Sequence, residues 1–191
     1  MTALSREVPI DPAHAALLII DVQNYCAGPE VRKTEHFRRS LRNTVLPNIR
    51  RLQSASRSGS IEVIYSVIEN MTRDGRDRSL DYKISGIDVS RGSWGAQIVD
   101  EIAPVEDEMI FRKTSSNVFI STNIDYVLRN LRIRSLIIAG LFTDQCVESA
   151  VRDACDLGYL VTPVLPPAPS ATSSRSSASA AIAASALPIH F

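Results

Sequence analysis

Apolar residues fall along this chain in short unbroken runs, separated by longer stretches of mixed polarity. The clearest runs are Ala15–Ile20, stopped by Asp21; Glu62–Ile68; Met109–Phe111; and Ser135–Ala139, stopped by Gly140. Runs this apolar suit strands buried on both faces, because a strand with one wet face alternates apolar with polar residues. Tyr159–Leu165 has the same character. Between these runs the spacing becomes helical. Leu41, Val45, Ile49 and Leu52 recur at helical intervals within Phe37–Arg57, with arginines on the outer positions. Asn123–Leu131 and Asp144–Leu157 carry further helical patterns. Alternation of strand and helix predicts one α/β domain, a three-layer α/β/α sandwich around a mostly parallel central sheet with right-handed crossovers. Residues 73–93 are polar, contain Gly75, Gly86 and Gly92, and read as a long excursion without regular structure. Such loops are commonly functional, and this one leaves a strand end, where ligand crevices of open α/β sheets form.

The domain pattern occupies residues 1–165. From Pro166 to Phe191 the chain turns to Pro, Ala and Ser, with Arg175 as its only charged residue. Two readings fit that atypical tail: a disordered low-complexity extension, or the product of an altered reading frame. The second is prompted by the abruptness of the change, which falls inside a strand-like segment.

Acidic and basic residues balance at 21 each, so no global field points to nucleic acid or an anionic membrane surface. The N-terminus lacks a charged lead followed by an apolar core, and no apolar run is long enough to span a bilayer. Cysteine is odd in number, at Cys26, Cys146 and Cys155, with neither disulfide-framework nor paired-thiolate zinc spacing. A reduced, cytoplasmic protein is the expectation. The histidines His14, His36 and His190 form no chelating pair, so neither a metal nor a cofactor is expected.

Three strand ends carry groups capable of chemistry. In Ala139-Gly140-Leu141-Phe142-Thr143-Asp144-Gln145-Cys146-Val147 an apolar strand meets a glycine, a short turn, and a helix capped at Thr143 or Asp144. Cys146 would then lie in the first helical turn, where backbone N–H groups and the helix dipole favour a thiolate and can hold an oxyanion. A small buried packing residue is the commoner fate of a lone cysteine. Cys155, half a turn around the same helix, is assigned to structure. Asp21, at the end of its strand, can take the thiol proton and return it to a leaving nitrogen, or can merely cap a turn. Lys113, one of only three lysines, can steady the carboxylate and developing negative charge, or can be an ordinary solvated lysine. Convergence of all three at one edge of the sheet is much less probable by accident than any one alone.

On these residues the chain resembles the isochorismatase-like cysteine hydrolases, among them nicotinamidases, N-carbamoylsarcosine amidases, ureidoacrylate amidohydrolases and biuret hydrolases. The similarity lies in LLIIDVQN, FRKTSSNVFISTNIDYVLR and IIAGLFTDQCVESAVRDACDLGY, spanning about Ala15 to Val161. The resemblance implies Cys146 as nucleophile, Asp21 as general base and Lys113 as its partner. It further implies a cis peptide at Leu141–Phe142 and an oxyanion hole formed by the N–H groups of Phe142 and Cys146. By the same analogy the reaction is metal-independent hydrolysis of a C–N bond in a small amide or ureido compound, through a thioester, by a homo-oligomer. Two departures qualify it. The Asp-x-His metal pattern of nicotinamidases is replaced here by Glu69-Asn70, which disfavours nicotinamide, and the Pro/Ala/Ser tail does not match the family's C-terminal helix. Gln23, Tyr25, Glu69, Arg73, Tyr82 and Trp94 are substrate-binding candidates, by their nearness to strand ends and the excursion. Arg76 and Arg78 share the loop with Arg73. The competing readings are a vinyl-ether hydrolase, against which Cys146 argues, and a non-catalytic scaffold, against which the intact Asp21, Lys113 and Cys146 argue. No phosphate-cradling glycine motif supports a nucleotide-binding protein.

Overall fold

The computed structural model describes residues 8–29 and 34–164 of the chain. The atypical tail of residues 166–191 lies outside the described residues. Five parallel strands form the central sheet: β1 (Ala15–Ile20), β2 (Glu62–Ile68), β3 (Met109–Lys113), β4 (Ser135–Gly140) and β5 (Leu160–Pro163), in the order β3-β2-β1-β4-β5. The helices are α1 (Asn24–Ala27), α2 (Glu35–Ser40), α3 (Leu46–Ser58), α4 (Leu80–Ile84), α5 (Val118–Ser121), α6 (Ile124–Asn130) and α7 (Glu148–Asp156).

The unbroken apolar character of β1 has a direct cause. Ala15, Leu17 and Ile19 enter one core with Leu41, Leu46 and Ile49, while Ala16, Leu18 and Ile20 enter the other with Ile124, Leu128 and Ala150. Each Leu or Ile of this strand is at most 1% exposed, and burial of such a side chain contributes about 1.5–3 kcal/mol. The expected three-layer sandwich is therefore present, with all strand pairs parallel.

The expected helix Phe37–Arg57 is divided. A wide π-type turn over Leu41–Val45 separates α2 from α3, with the Leu46 N–H reaching back to the Leu41 carbonyl. Pro47 sits in the first turn of α3, where its missing N–H costs least, and it cannot continue the ladder of a helix arriving from α2. The excursion 73–93 is also more regular than expected, because Ser79 accepts a hydrogen bond from the Tyr82 N–H at 3.2 Å and starts α4.

Strand order reverses between β1 and β4, and this is where open parallel sheets form a crevice beyond their C-terminal ends. Gly140 permits the two strands to close there. It adopts φ +141°, and a Cβ on it would stand 2.1 Å from the Ile20 carbonyl oxygen. That oxygen instead accepts the Leu141 N–H at 2.8 Å.

Candidate active site

Asp21 ends β1, Lys113 ends β3, and Cys146 follows β4 in a π-type turn over Thr143–Val147 that runs into α7. Such single wide turns recur at functional sites. The three side chains meet. Lys113 Nζ lies 2.9 Å from Asp21 Oδ2 and 3.5 Å from Cys146 Sγ, and none of the three residues is more than 3% exposed.

Asp21 takes a left-handed backbone conformation, φ +54°, which short polar side chains tolerate better than others. Its N–H donates to the Ser66 carbonyl at 2.9 Å, and its Oδ1 accepts from Ser66 Oγ at 3.3 Å. Oδ2 accepts no well-aligned hydrogen bond, so its approach to Lys113 is a charge contact. Burial pushes the Asp21 carboxyl above its ordinary value, against the downward pull of the Lys113 ammonium. Burial works in the other direction on Lys113. The negative charge of Asp21, supported by Cys146 and Tyr82, outweighs it and keeps the ammonium charged well above its ordinary range. Lys113 is further fixed by donating to the Ser115 carbonyl at 2.9 Å and to the Tyr82 hydroxyl at 3.2 Å.

Cys146 corrects an expectation. A dipole-lowered thiolate was anticipated, yet burial and then the Asp21 charge push the thiol up to about 11, against the opposing effect of Lys113. Neither Thr143 nor Asp144 caps the turn by a side-chain hydrogen bond; Phe142 occupies the cap position. The thiol is thus held in its protonated form at neutral pH. The shift also fixes a pH dependence. A thiol titrating higher in the folded than the unfolded chain contributes stability fully present below its ordinary pKa, and that contribution is lost as pH rises through the folded value of about 11. In urea titrations, Cys146→Ala should flatten the decline in stability above about pH 9; a decline equal to that of the parent chain would contradict the raised thiol.

The peptide between Leu141 and Phe142 is cis, as the resemblance implied. The Phe142 carbonyl accepts the N–H groups of Gln145 and Val147 at 3.1 and 3.2 Å, and its ring packs on Phe37 at 5.8 Å between centroids.

The remaining candidates separate into a brace, a rim and one member of the centre. Gln23 is fully buried, and both its amide hydrogens are used, on the Ile68 and Gly95 carbonyls at 2.9 Å each. Its Oε1 accepts the Ile68 N–H at 2.6 Å, so Gln23 ties the crevice walls together with no N–H left for a ligand. Glu69 is similarly occupied: one oxygen accepts the Gly92 N–H at 2.7 Å and the other pairs with Arg112. Arg78 is turned to the loop carbonyls of Gly75 and Ile87, at 2.9 and 2.8 Å. Arg73 is exposed, as are Tyr25 and Trp94, whose two segments are joined by the Asn24 Nδ2 hydrogen bond to the Trp94 carbonyl at 3.1 Å. Tyr82 is buried inside, its hydroxyl 3.9 Å from Cys146 Sγ. Ser66 and Ser115 were not singled out in the sequence. The signal for Ser66 was present as a small polar residue near the end of a mostly apolar strand.

Among the described residues, no group of three His, Cys, Asp or Glu side chains is placed to hold a metal ion, and no helix is long and apolar enough to cross a membrane. No disulfide joins the cysteines.

Comparison with known proteins gives the same architecture and the same family. The ureidoacrylate amidohydrolase RutB of Agrobacterium fabrum is 30% identical over 181 residues, covering 83% of this chain and 78% of the relative. A cysteine hydrolase from Pseudomonas syringae superposes with TM-score 0.72 at 24% identity, over 86% of this chain and 76% of its own. The N-carbamoylsarcosine amidase of Thermoplasma acidophilum superposes with TM-score 0.65 at 24% identity, over 78% and 80%. A family model, the isochorismatase domain, matches residues 15–187, a range that includes all three residues of the buried cluster. The chain belongs to the isochorismatase family of hydrolases.

Proposed function

We propose that this protein is a cysteine amidohydrolase that cleaves a C–N bond of a small amide or ureido compound through a thioester on Cys146. The contact that carries the reading is the buried line Asp21 Oδ2, Lys113 Nζ and Cys146 Sγ, at 2.9 and 3.5 Å. A thiol held protonated beside a carboxylate whose own proton affinity is raised suits transfer of that proton inward. Asp21 accepts the thiol proton as Sγ bonds to the substrate carbonyl carbon, and the carbonyl oxygen becomes an oxyanion beside the N–H groups of Phe142 and Cys146. Collapse of that adduct breaks the C–N bond, and Asp21 passes the proton to the departing nitrogen. Water then attacks the thioester, its proton moving to Asp21 and on to the released sulfur. Lys113 keeps its charge throughout and compensates the negative charge passing between oxygen and sulfur.

A small ureido or carbamoyl substrate is supported by the named relatives, whose activities concern ureidoacrylate and N-carbamoylsarcosine. Tyr25, Trp94 and Arg73 stand exposed around the excursion and are the side chains left to meet it. A cytoplasmic homo-oligomer completes the reading, in keeping with the absence of disulfides. The test is ammonia release from ureidoacrylate, N-carbamoylsarcosine, biuret and nicotinamide. Release from a ureido or carbamoyl member, with nicotinamide inert, is the expected result. A folded protein silent on all four, or active on nicotinamide alone, would overturn the substrate class.

A further inference from the structure

The Tyr82 hydroxyl lies 3.9 Å from Cys146 Sγ, and its position is built rather than incidental. Ser79 donates its own N–H to the Thr114 carbonyl at 2.9 Å, one residue beyond β3, which seats the start of α4 beside Lys113. Its hydroxyl then caps the Tyr82 N–H. Helical spacing does the rest. Leu80 and Ile84 are 72% and 77% exposed on the outside of α4, while Tyr82 between them is 1% exposed. The phenol so placed accepts a hydrogen bond from Lys113 Nζ at 3.2 Å.

The direction of that bond decides what the phenol can do next. Lys113 is a donor only, so the Tyr82 oxygen accepts and its own O–H points elsewhere. The polar atom within reach is Cys146 Sγ at 3.9 Å, near the outer limit for sulfur. A neutral thiol gains little from such a donor. A thiolate, larger in charge and unable to donate, gains considerably more.

We propose that Tyr82 is a thiolate-stabilising member of the reactive centre: anchored by Lys113, it donates its O–H to Cys146 Sγ once Asp21 has taken the thiol proton. The inference rests on the cysteine-hydrolase reading above and gives Tyr82 a role other than substrate binding. No bond to the phenol proton breaks. The proton that moves is the thiol's, from Sγ to Asp21, and Tyr82 and Lys113 together face the charge left behind. Lys113 already reaches Sγ directly at 3.5 Å, so the phenol adds a second, neutral donor to the same sulfur.

The experiment compares the full-length protein with Tyr82→Phe and with a chain carrying 3-fluorotyrosine at position 82 only. The readout is the peptide-resolved rate at which iodoacetamide alkylates Cys146 at a single pH, with the exposed Cys155 of the same sample as internal standard. Tyr82→Phe keeps the ring and is expected to slow Cys146 alkylation roughly ten- to 150-fold, as loss of a hydrogen bond to a charged group implies. Fluorination makes the phenol the stronger donor and should accelerate alkylation, a change that a packing role cannot produce. In turnover of whichever substrate is found, Tyr82→Phe should lower kcat with KM unchanged. Equal alkylation rates in all three proteins, slowing in both variants, or a raised KM with unaltered alkylation would each overturn the proposal. If Tyr82→Phe fails to fold, the fluorinated chain decides alone. Alkylation needs no substrate, so a silent substrate panel would overturn the proposed substrate class without touching this result.

Discussion

Cys146→Ser is expected to leave a folded protein whose amide turnover falls by about 10⁴-fold or more, the scale on which removal of a covalent nucleophile acts. The replacement is close in size, and the polar contacts of the thiol, with Asp21, with Lys113 at 3.5 Å and with Tyr82 at 3.9 Å, are ones a hydroxyl can also make, so little packing is lost. Reactivity should change far more. The carboxylate of Asp21 can accept a proton from a thiol at about 11, whereas a serine hydroxyl holds its proton much more firmly in the same buried place. Ammonia release measured beside far-ultraviolet circular dichroism checks both halves of the expectation. A serine variant within about tenfold of the parent would show that the reaction does not proceed through Sγ.

Lys113→Met should be the most destabilising single change in the centre, by about 3–5 kcal/mol. Asp21 and Lys113 are both wholly buried and face each other at 2.9 Å, so removing the ammonium leaves a carboxylate with no compensating charge among the described residues. Breaking such a pair costs far more than never having made it. Asp21→Asn added to Lys113→Met should therefore recover much of the loss, and asparagine tolerates the left-handed backbone at position 21. The sign of the pH effect follows from burial. Without Lys113 the Asp21 carboxyl rises further, so the single variant is least impaired at acidic pH, where Asp21 is protonated, and loses stability as pH rises through that pKa. For a domain of this size the neutral-pH loss amounts to a melting temperature lower by on the order of 10 °C. Equal melting temperatures for the single and double variants would contradict an uncompensated charge as the cause.

Much of the frame was legible because the three central strands, β1, β2 and β4, are almost wholly buried, whereas the edge strands β3 and β5 are half-buried. Ala15–Ile20 and Glu62–Ile68 were marked by apolar runs to the residue, and the polar group ending each site-bearing strand marked the crevice. β3 runs on through Arg112 and Lys113, beyond its apolar core, because its last residues still pair with Val67 and Ile68. Helix interruptions were less legible. Pro47 was visible as a residue, but an unbroken apolar stripe across Leu41–Leu52 concealed the wide turn before it. The roles of polar residues were the least legible. Gln23, Glu69 and Tyr82 each lie near a strand end or the excursion, and nothing in their spacing distinguishes a side chain facing substrate from one spent on internal carbonyls. The resting state of Cys146 was misread for a related reason. A helix start is a local feature, whereas the Asp21 charge arrives from a strand more than a hundred residues earlier in the chain, and the burial from several elements in between.

That separation has a consequence for the life of the protein. The three residues of the buried cluster come from β1, from β3 and from the turn after β4, and β3 reaches the others only across β2. During synthesis Cys146 emerges last, after Asp21 and Lys113. Until the strands are in register, Cys146 is an ordinary cysteine with an ordinary thiol. Its altered acidity is a property of the assembled sheet, so a quantitative measure of Cys146 reactivity reports the fraction of molecules that have completed the fold.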